Sequence, residues 1–167
     1  MNIIFETLKS KLGATPRPLN SGVHTPSAKL AEPALCSDLL EILRLFNSSI
    51  EFEQGANYIS AGNEEYALET LYGLADDKYN LYDRNAALRD RLPKGYYTFG
   101  DSGEGDHFCI CESSGEVFFW AHDAGANPLT FLCGGFSEFL LALTPDEDPS
   151  DTDLKKLKSI VKFEIDF

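Results

Sequence analysis

His107, Cys109 and Cys111 alternate along the chain, and His122 and Cys133 follow within reach. These are the residue types that bind a metal or attack an electrophile. On a strand the first three share one face, and His122 or Cys133 would complete a set of four zinc ligands. The spacing opposes this, because strand neighbours two apart lie about 7 Å apart, whereas ribbon-type zinc sites gather their thiolates on Cys-x-x-Cys turns. A nucleophilic pair, Cys109 or Cys133 with His122 as base, needs a stabilised thiolate and an oxyanion site. Acidic surroundings would raise a thiol pKa, so these cysteines read as buried and inert. The four cysteines, at 36, 109, 111 and 133, are also too scattered for the disulfide framework of a small secreted domain.

The loop GDSGEGD at 100–106 brings Asp101, Glu104 and Asp106 together. Paired carboxylates can do acid–base work or hold a cation, but twelve acidic residues fall between Lys94 and Lys155, so such neighbours arise by chance. The loop is no phosphate cradle, for it lacks the GK[ST] ending and carries negative charge where phosphates would sit. Turn geometry accounts for it better: Gly103 and Gly105 permit positive φ, and Asp101 and Asp106 can accept bonds from turn amides. A contact role for the loop is the other reading. The aromatic run Phe118-Phe119-Trp120 has no basic residue near it, so it reads as core and sheet face rather than as a platform for bases.

Charge narrows the possible partners. With 27 acidic and 14 basic residues the formal net charge is −13, the wrong sign for nucleic acid or an anionic membrane. Between Lys94 and Lys155 no Lys or Arg occurs at all. That half of the chain is an anionic surface, suited either to solubility or to attracting a basic protein partner. No stretch approaches the roughly 20 apolar residues of a membrane span, and the start MNIIFETLKSKLG lacks the apolar core of a secretory signal, so a cytoplasmic location is expected. No motif calls for a cofactor.

The elements that must position these residues follow from periodicity. At 167 residues, 43% of them hydrophobic, one packed core spanning 1–167 is expected. Ile4, Leu8 and Leu12 form the stripe of a first helix that Gly13 ends. Residues 13–33 hold four prolines among small polar residues and read as a long surface loop. A second helix opens near Pro33 and carries Leu35, Leu39, Leu40, Ile42, Leu43 and Phe46. Residues 50–53 and 57–60 suggest a hairpin, 66–74 a strand, and 80–91 a helix closed by Leu92-Pro93. Period two then takes over, and residues 96–121 read as an antiparallel meander of three strands. A last helix runs from about Gly135 to Leu143. Residues 144–154 form an acidic segment expected to be mobile, and the closing KKLKSIVKFEIDF is amphipathic. The sum is an α+β fold, an antiparallel meander sheet flanked by helices.

The segment 92–125, LPKGYYTFGDSGEGDHFCICESSGEVFFWAHDAG, followed by GGFSEFLLAL at 134–143, resembles the SUKH superfamily. Members of that superfamily show a strand, a glycine-rich turn ending in Gly-Asp, an apolar strand, a Gly turn, an aromatic strand ending in His-acid, and a helix of Phe-x-x-Phe-Leu type. Here these fall on Phe99-Gly100, Gly105-Asp106, Phe108 to Cys111, Gly115-Glu116-Val117, Phe119-Trp120, His122-Asp123 and Phe136 to Leu140. The resemblance implies a non-enzymatic immunity protein that neutralises a toxin by occlusion, or a regulatory scaffold of the same fold. A nuclease-type toxin with a basic cleft suits the charge. The partner-binding candidates are then Asp101, Glu104, Asp106, Glu112, Glu116, His122 and Asp123.

Overall fold

The computed structural model describes residues 3–18 and 35–146. Most of the proline-rich loop, the acidic segment beyond 146 and the closing amphipathic stretch lie outside these residues.

Helix α1 (Ile3–Leu12) buries Leu8 and Leu12, the stripe expected of it, and Gly13 at φ +61 ends it. The chain then forms a short strand, β1 (Ala14–Pro16), where a loop was expected. An edge strand tolerates Pro16 because its outward side needs no amide donor. Helix α2 (Ser37–Phe46) seats Leu39, Ile42, Leu43 and Phe46 in the core, and the Asn47 amide closes it on the Leu43 carbonyl. Strands β2 (Ile50–Phe52) and β3 (Asn57–Ile59) both exist, but they do not form the expected hairpin. β2 lies between β1 and β5 (Thr70–Leu71), whereas β3 pairs with β4 (Glu65–Ala67). The cause is local: Gly55, at φ +76, turns the chain out of the large sheet, and Asn57 then exchanges two 2.8 Å backbone bonds with Thr144.

Helix α3 (Leu81–Leu88) starts on Asn80, whose side chain accepts the Asp83 amide at 3.0 Å. The expected meander follows as β6 (Tyr96–Asp101), β7 (His107–Cys111) and β8 (Val117–Trp120). A further strand, β9 (Leu129–Cys133), which no local pattern announces, extends it before helix α4 (Phe136–Ala142). The resulting sheet is antiparallel throughout, in the order β1-β2-β5-β6-β7-β8-β9, with β3 and β4 as a separate pair.

Alternation sorts the meander between two faces. Phe99, Phe108, Ile110 and Val117 point into the main core, where Phe136 and Phe139 of α4 meet Phe99 at ring separations of 5.1 and 5.4 Å. Each such ring contributes roughly 1.5–3 kcal/mol through burial. On the opposite face Cys109 and Trp120 form a smaller cluster with Leu92, flanked by Leu88, Tyr96 and Leu129. This two-sided packing fixes the hairpin whose ends carry the candidate site residues.

Candidate functional site

The seven candidate residues separate into two groups at opposite ends of the β6–β7–β8 meander. Asp101, Glu104, Asp106, His122 and Asp123 lie at the end formed by the β6–β7 loop and the exit from β8, while Glu112 and Glu116 occupy the β7–β8 turn. The five residues of β7, about 13 Å from first to last, divide the groups.

At the first end the glycines behave as their positions required, with Gly103 at φ +80 and Gly105 at φ +93. Asp101 sits opposite His107 in the ladder and turns inward. Its Oδ1 accepts the Gly103 amide at 3.2 Å, and its Oδ2 accepts the Tyr72 hydroxyl at 2.9 Å, with the Arg84 guanidinium 4.0 Å away. The same hydroxyl lies 3.1 Å from His107 Nδ1, which also has Thr98 Oγ1 at 3.4 Å. The His107 ring stacks on Trp120 at a separation of 5.4 Å. Burial pushes the Tyr72 phenol far above its usual pKa, with the Asp101 charge adding to the effect, so Tyr72 remains a donor. Burial lowers the His107 pKa, and Arg84 and His122 act the same way against the opposing pull of Asp101 and Asp106.

Asp106 ties the loop to the next corner. Its Oδ1 accepts the His122 backbone amide at 3.0 Å and lies 2.6 Å from His122 Nδ1, while His122 Nε2 is 3.0 Å from Asp123 Oδ2. Each ring nitrogen thus faces a carboxylate oxygen, and both can be donors only in the doubly protonated ring. Glu104 and Asp123 project outward, the latter 86% exposed at its side chain. Of this group, therefore, Glu104 and Asp123 are presented to a partner, Asp106 and His122 are partly so, and Asp101 works from inside.

At the second end Glu112 is exposed and Glu116 half-buried, with Glu116 Oε2 accepting the Ser114 hydroxyl at 2.9 Å. Here Cys111 stands apart from Cys109 and Cys133. Cys111 Sγ lies 3.3 Å from Ser113 Oγ, and hydrogen bonds from Ser113 and Ser114 lower its pKa to about 7. Cys109 and Cys133 go the other way, both raised by burial. Although His107, Cys109 and Cys111 do share a face, His107 is engaged by Tyr72 and Cys109 is packed with Leu92 and Trp120. Among the described residues, no three His, Cys, Asp or Glu side chains are placed to hold one metal ion. Among the same residues, no helix is long and apolar enough to cross a membrane.

The Tyr72 and Arg84 partners of Asp101 and His107 were not legible beforehand, since they come from segments remote in sequence. A polar strand start beside a glycine loop was the available signal, and it indicated only a turn.

Comparison with known proteins places this arrangement. The sequence profile of the SMI1 / KNR4 family (SUKH-1) matches residues 34–142, which take in both acidic groups and every element from α2 to α4. The chain belongs to the SMI1 / KNR4 family. The SPbeta prophage-derived uncharacterized protein YokK of Bacillus subtilis (strain 168) is 27% identical to this chain over 111 residues, 65% of this chain and 56% of YokK. The SUKH-1 chain thus spans little more than half the length of that relative. No solved structure matches it. Helix α1 and strand β1 precede the matched region, yet Leu8, Leu12 and Ala14 belong to the same core as α4.

Proposed function

We propose that this SUKH-1 protein is an immunity protein that acts in the cytoplasm, binding a toxin domain with a basic surface and occluding it, without catalysis of its own. One observation carries the reading: from residue 95 to residue 146 the chain has no Lys or Arg, while Glu104, Glu112 and Asp123 stand exposed along one meander. Exposed acidic side chains of this kind speed encounter with a positively charged cleft and suppress encounter with acidic proteins. Occlusion then asks only for a rigid surface, which the packing of the meander between α4 and the Leu92–Trp120 cluster supplies. Family membership supports a binding role, and the relative's description as prophage-derived suits a gene carried with a toxin.

The test is co-expression with the toxin domain encoded beside the gene, together with stopped-flow association at rising ionic strength. Protection of the cells, and an association rate that falls steeply with salt, are expected. Unprotected cells overturn the reading, and a salt-independent rate overturns its electrostatic part.

A further inference from the structure

Strand β9 closes one side of the large sheet, and no described strand lies beyond it. The Ala121 amide donates to the Pro128 carbonyl at 2.8 Å, which aims residue 128 at β8. By the two-residue alternation of an antiparallel ladder, Leu129 and Phe131 then turn their N–H and C=O groups away from β8. Among the described residues, neither makes a backbone bond outside the β8 pairing. The strand itself, LTFLC, has no charge and no proline, the usual means by which an edge is kept from pairing. At the opposite edge, β1 has Pro16, with Arg17 and Pro18 directly after it.

The side chains on the sheet face away from α4 point the same way. Tyr96, Phe118 and Phe131 form a row across β6, β8 and β9, with successive ring separations of 5.3 and 5.7 Å in edge-to-face contact. The row stops at Phe131, which is 54% exposed. Acidic residues bracket the strand. Beside Cys133 stand Glu116, next to its ladder partner Val117, and Glu138, which accepts the Gly134 amide at 3.2 Å. Beyond Leu129, whose ladder partner is Trp120, stands Asp123. A second copy of this chain, paired antiparallel, would set acidic end against acidic end.

We propose that the outer edge of β9 receives an extended strand from a basic protein partner, whose central apolar side chain continues the Tyr96–Phe118–Phe131 row and whose flanking Lys or Arg residues meet Glu116, Glu138 and Asp123. Backbone pairing supplies the geometry, and the charges set the sign of the partner. This rests on the protein-binding reading above and assigns it a surface.

The probe is the synthetic peptide Lys-Thr-Lys-Thr-Phe-Thr-Lys-Thr-Lys, added to the full chain while amide exchange is followed by NMR. Exchange at Leu129 and Phe131 is expected to slow about tenfold at saturation. The same peptide N-methylated at every backbone amide, or with Glu for Lys, should leave exchange unchanged. Phe131→Lys, which places a like charge on the edge, should weaken peptide binding about tenfold. Phe131→Pro, which removes an outward donor, should abolish the slowing at Leu129. An unaffected edge, an equal response to the N-methylated peptide, or two amides already slow in the free protein, as monomer or as dimer, overturns the proposal. The two readings fail separately. If Phe131→Lys protects cells from the toxin as well as the unaltered chain does, the edge is not the contact, although the immunity reading stands. If the unaltered chain gives no protection yet the peptide slows both amides, the immunity reading falls and the edge remains a strand-binding surface.

Discussion

The Tyr72 hydroxyl donates to Asp101 Oδ2 at 2.9 Å inside the fold, and this bond joins β6 to the segment just after β5. Removing the hydroxyl strands a buried carboxylate oxygen and takes a partner from His107. Tyr72→Phe should therefore cost about 1–3 kcal/mol of stability, the usual penalty for orphaning a buried polar group. Urea denaturation checks it. Glu104→Gln, an exposed change on the same loop, should leave the midpoint where it is.

His107 makes stability depend on pH in a defined direction. Its folded-state pKa lies below the usual 6.5, chiefly through burial. The unfolded chain then takes up a proton that the folded one refuses. The contribution is fully present above the unfolded value and is lost as pH falls from there through the folded value. Denaturation free energies should decline on going from pH 7.5 to about 5.5, and more steeply for the unaltered chain than for His107→Gln. Equal slopes would place the acid sensitivity elsewhere.

Cys111 should be the thiol that reacts first. Its pKa is lowered to about 7 by Ser113 and Ser114, whereas burial raises Cys109 and Cys133. Iodoacetamide reacts with the thiolate, so the labelling rate at Cys111 should rise with pH and reach half its maximum near pH 7. In Ser113→Ala the midpoint should move up towards the ordinary value of 9.0. Peptide mapping after a short pulse identifies the site, and preferential labelling of Cys109 would contradict the structure.

These residues show how far the sequence could be read. The meander was legible because Tyr96 to Trp120 alternates in period two between glycine turns, and one physical cause sets both signals. β9 was not, since Leu129-Thr130-Phe131-Leu132-Cys133 is an uncharged run that lacks a clear period, and the bulge opposite Val117 and Phe118 breaks its alternation. The hairpin expected at 50–60 failed for a different reason. Both strands carried correct local signals, but their partners, β1 and β4, are set by tertiary pairing that local pattern does not encode. The acidic residues were legible as a composition and not as a surface: nothing along the chain separates inward Asp101 from outward Asp123.

The corner held by Asp106 should be sensitive to backbone change. Gly105 stands at φ +93, and a Cβ there would also lie 3.1 Å from the His122 ring. Gly105→Ala should destabilise by about 1–3 kcal/mol through strain in that region alone. Asp106→Asn keeps the shape but replaces the carboxylate that faces both the His122 amide and its ring. A smaller loss, on the order of 1 kcal/mol, is expected. Thermal melts rank the two, and a silent Gly105→Ala would mean that the loop is not held against His122.

Charge reversal separates attraction from architecture. Glu104 and Asp123 are exposed at one end of the meander and Glu112 at the other, and none of them lies in the core. Replacing any of the three with Lys should leave the melting temperature within a degree or two, as surface substitutions usually do. Association with a basic toxin domain should slow by about threefold to tenfold per reversal, and the slope of rate against ionic strength should flatten. Stopped-flow mixing measures both quantities. The end whose reversal slows association more is the one that faces the partner during encounter. If Glu112→Lys has the larger effect, approach is from the β7–β8 turn, the end at which Glu116 and Cys133 border the outer edge of β9. If Glu104→Lys and Asp123→Lys dominate, it is from the Asp106–His122 corner. Reversals that change the melting temperature but not the rate would instead make these carboxylates part of the fold and remove the electrostatic case for a basic partner.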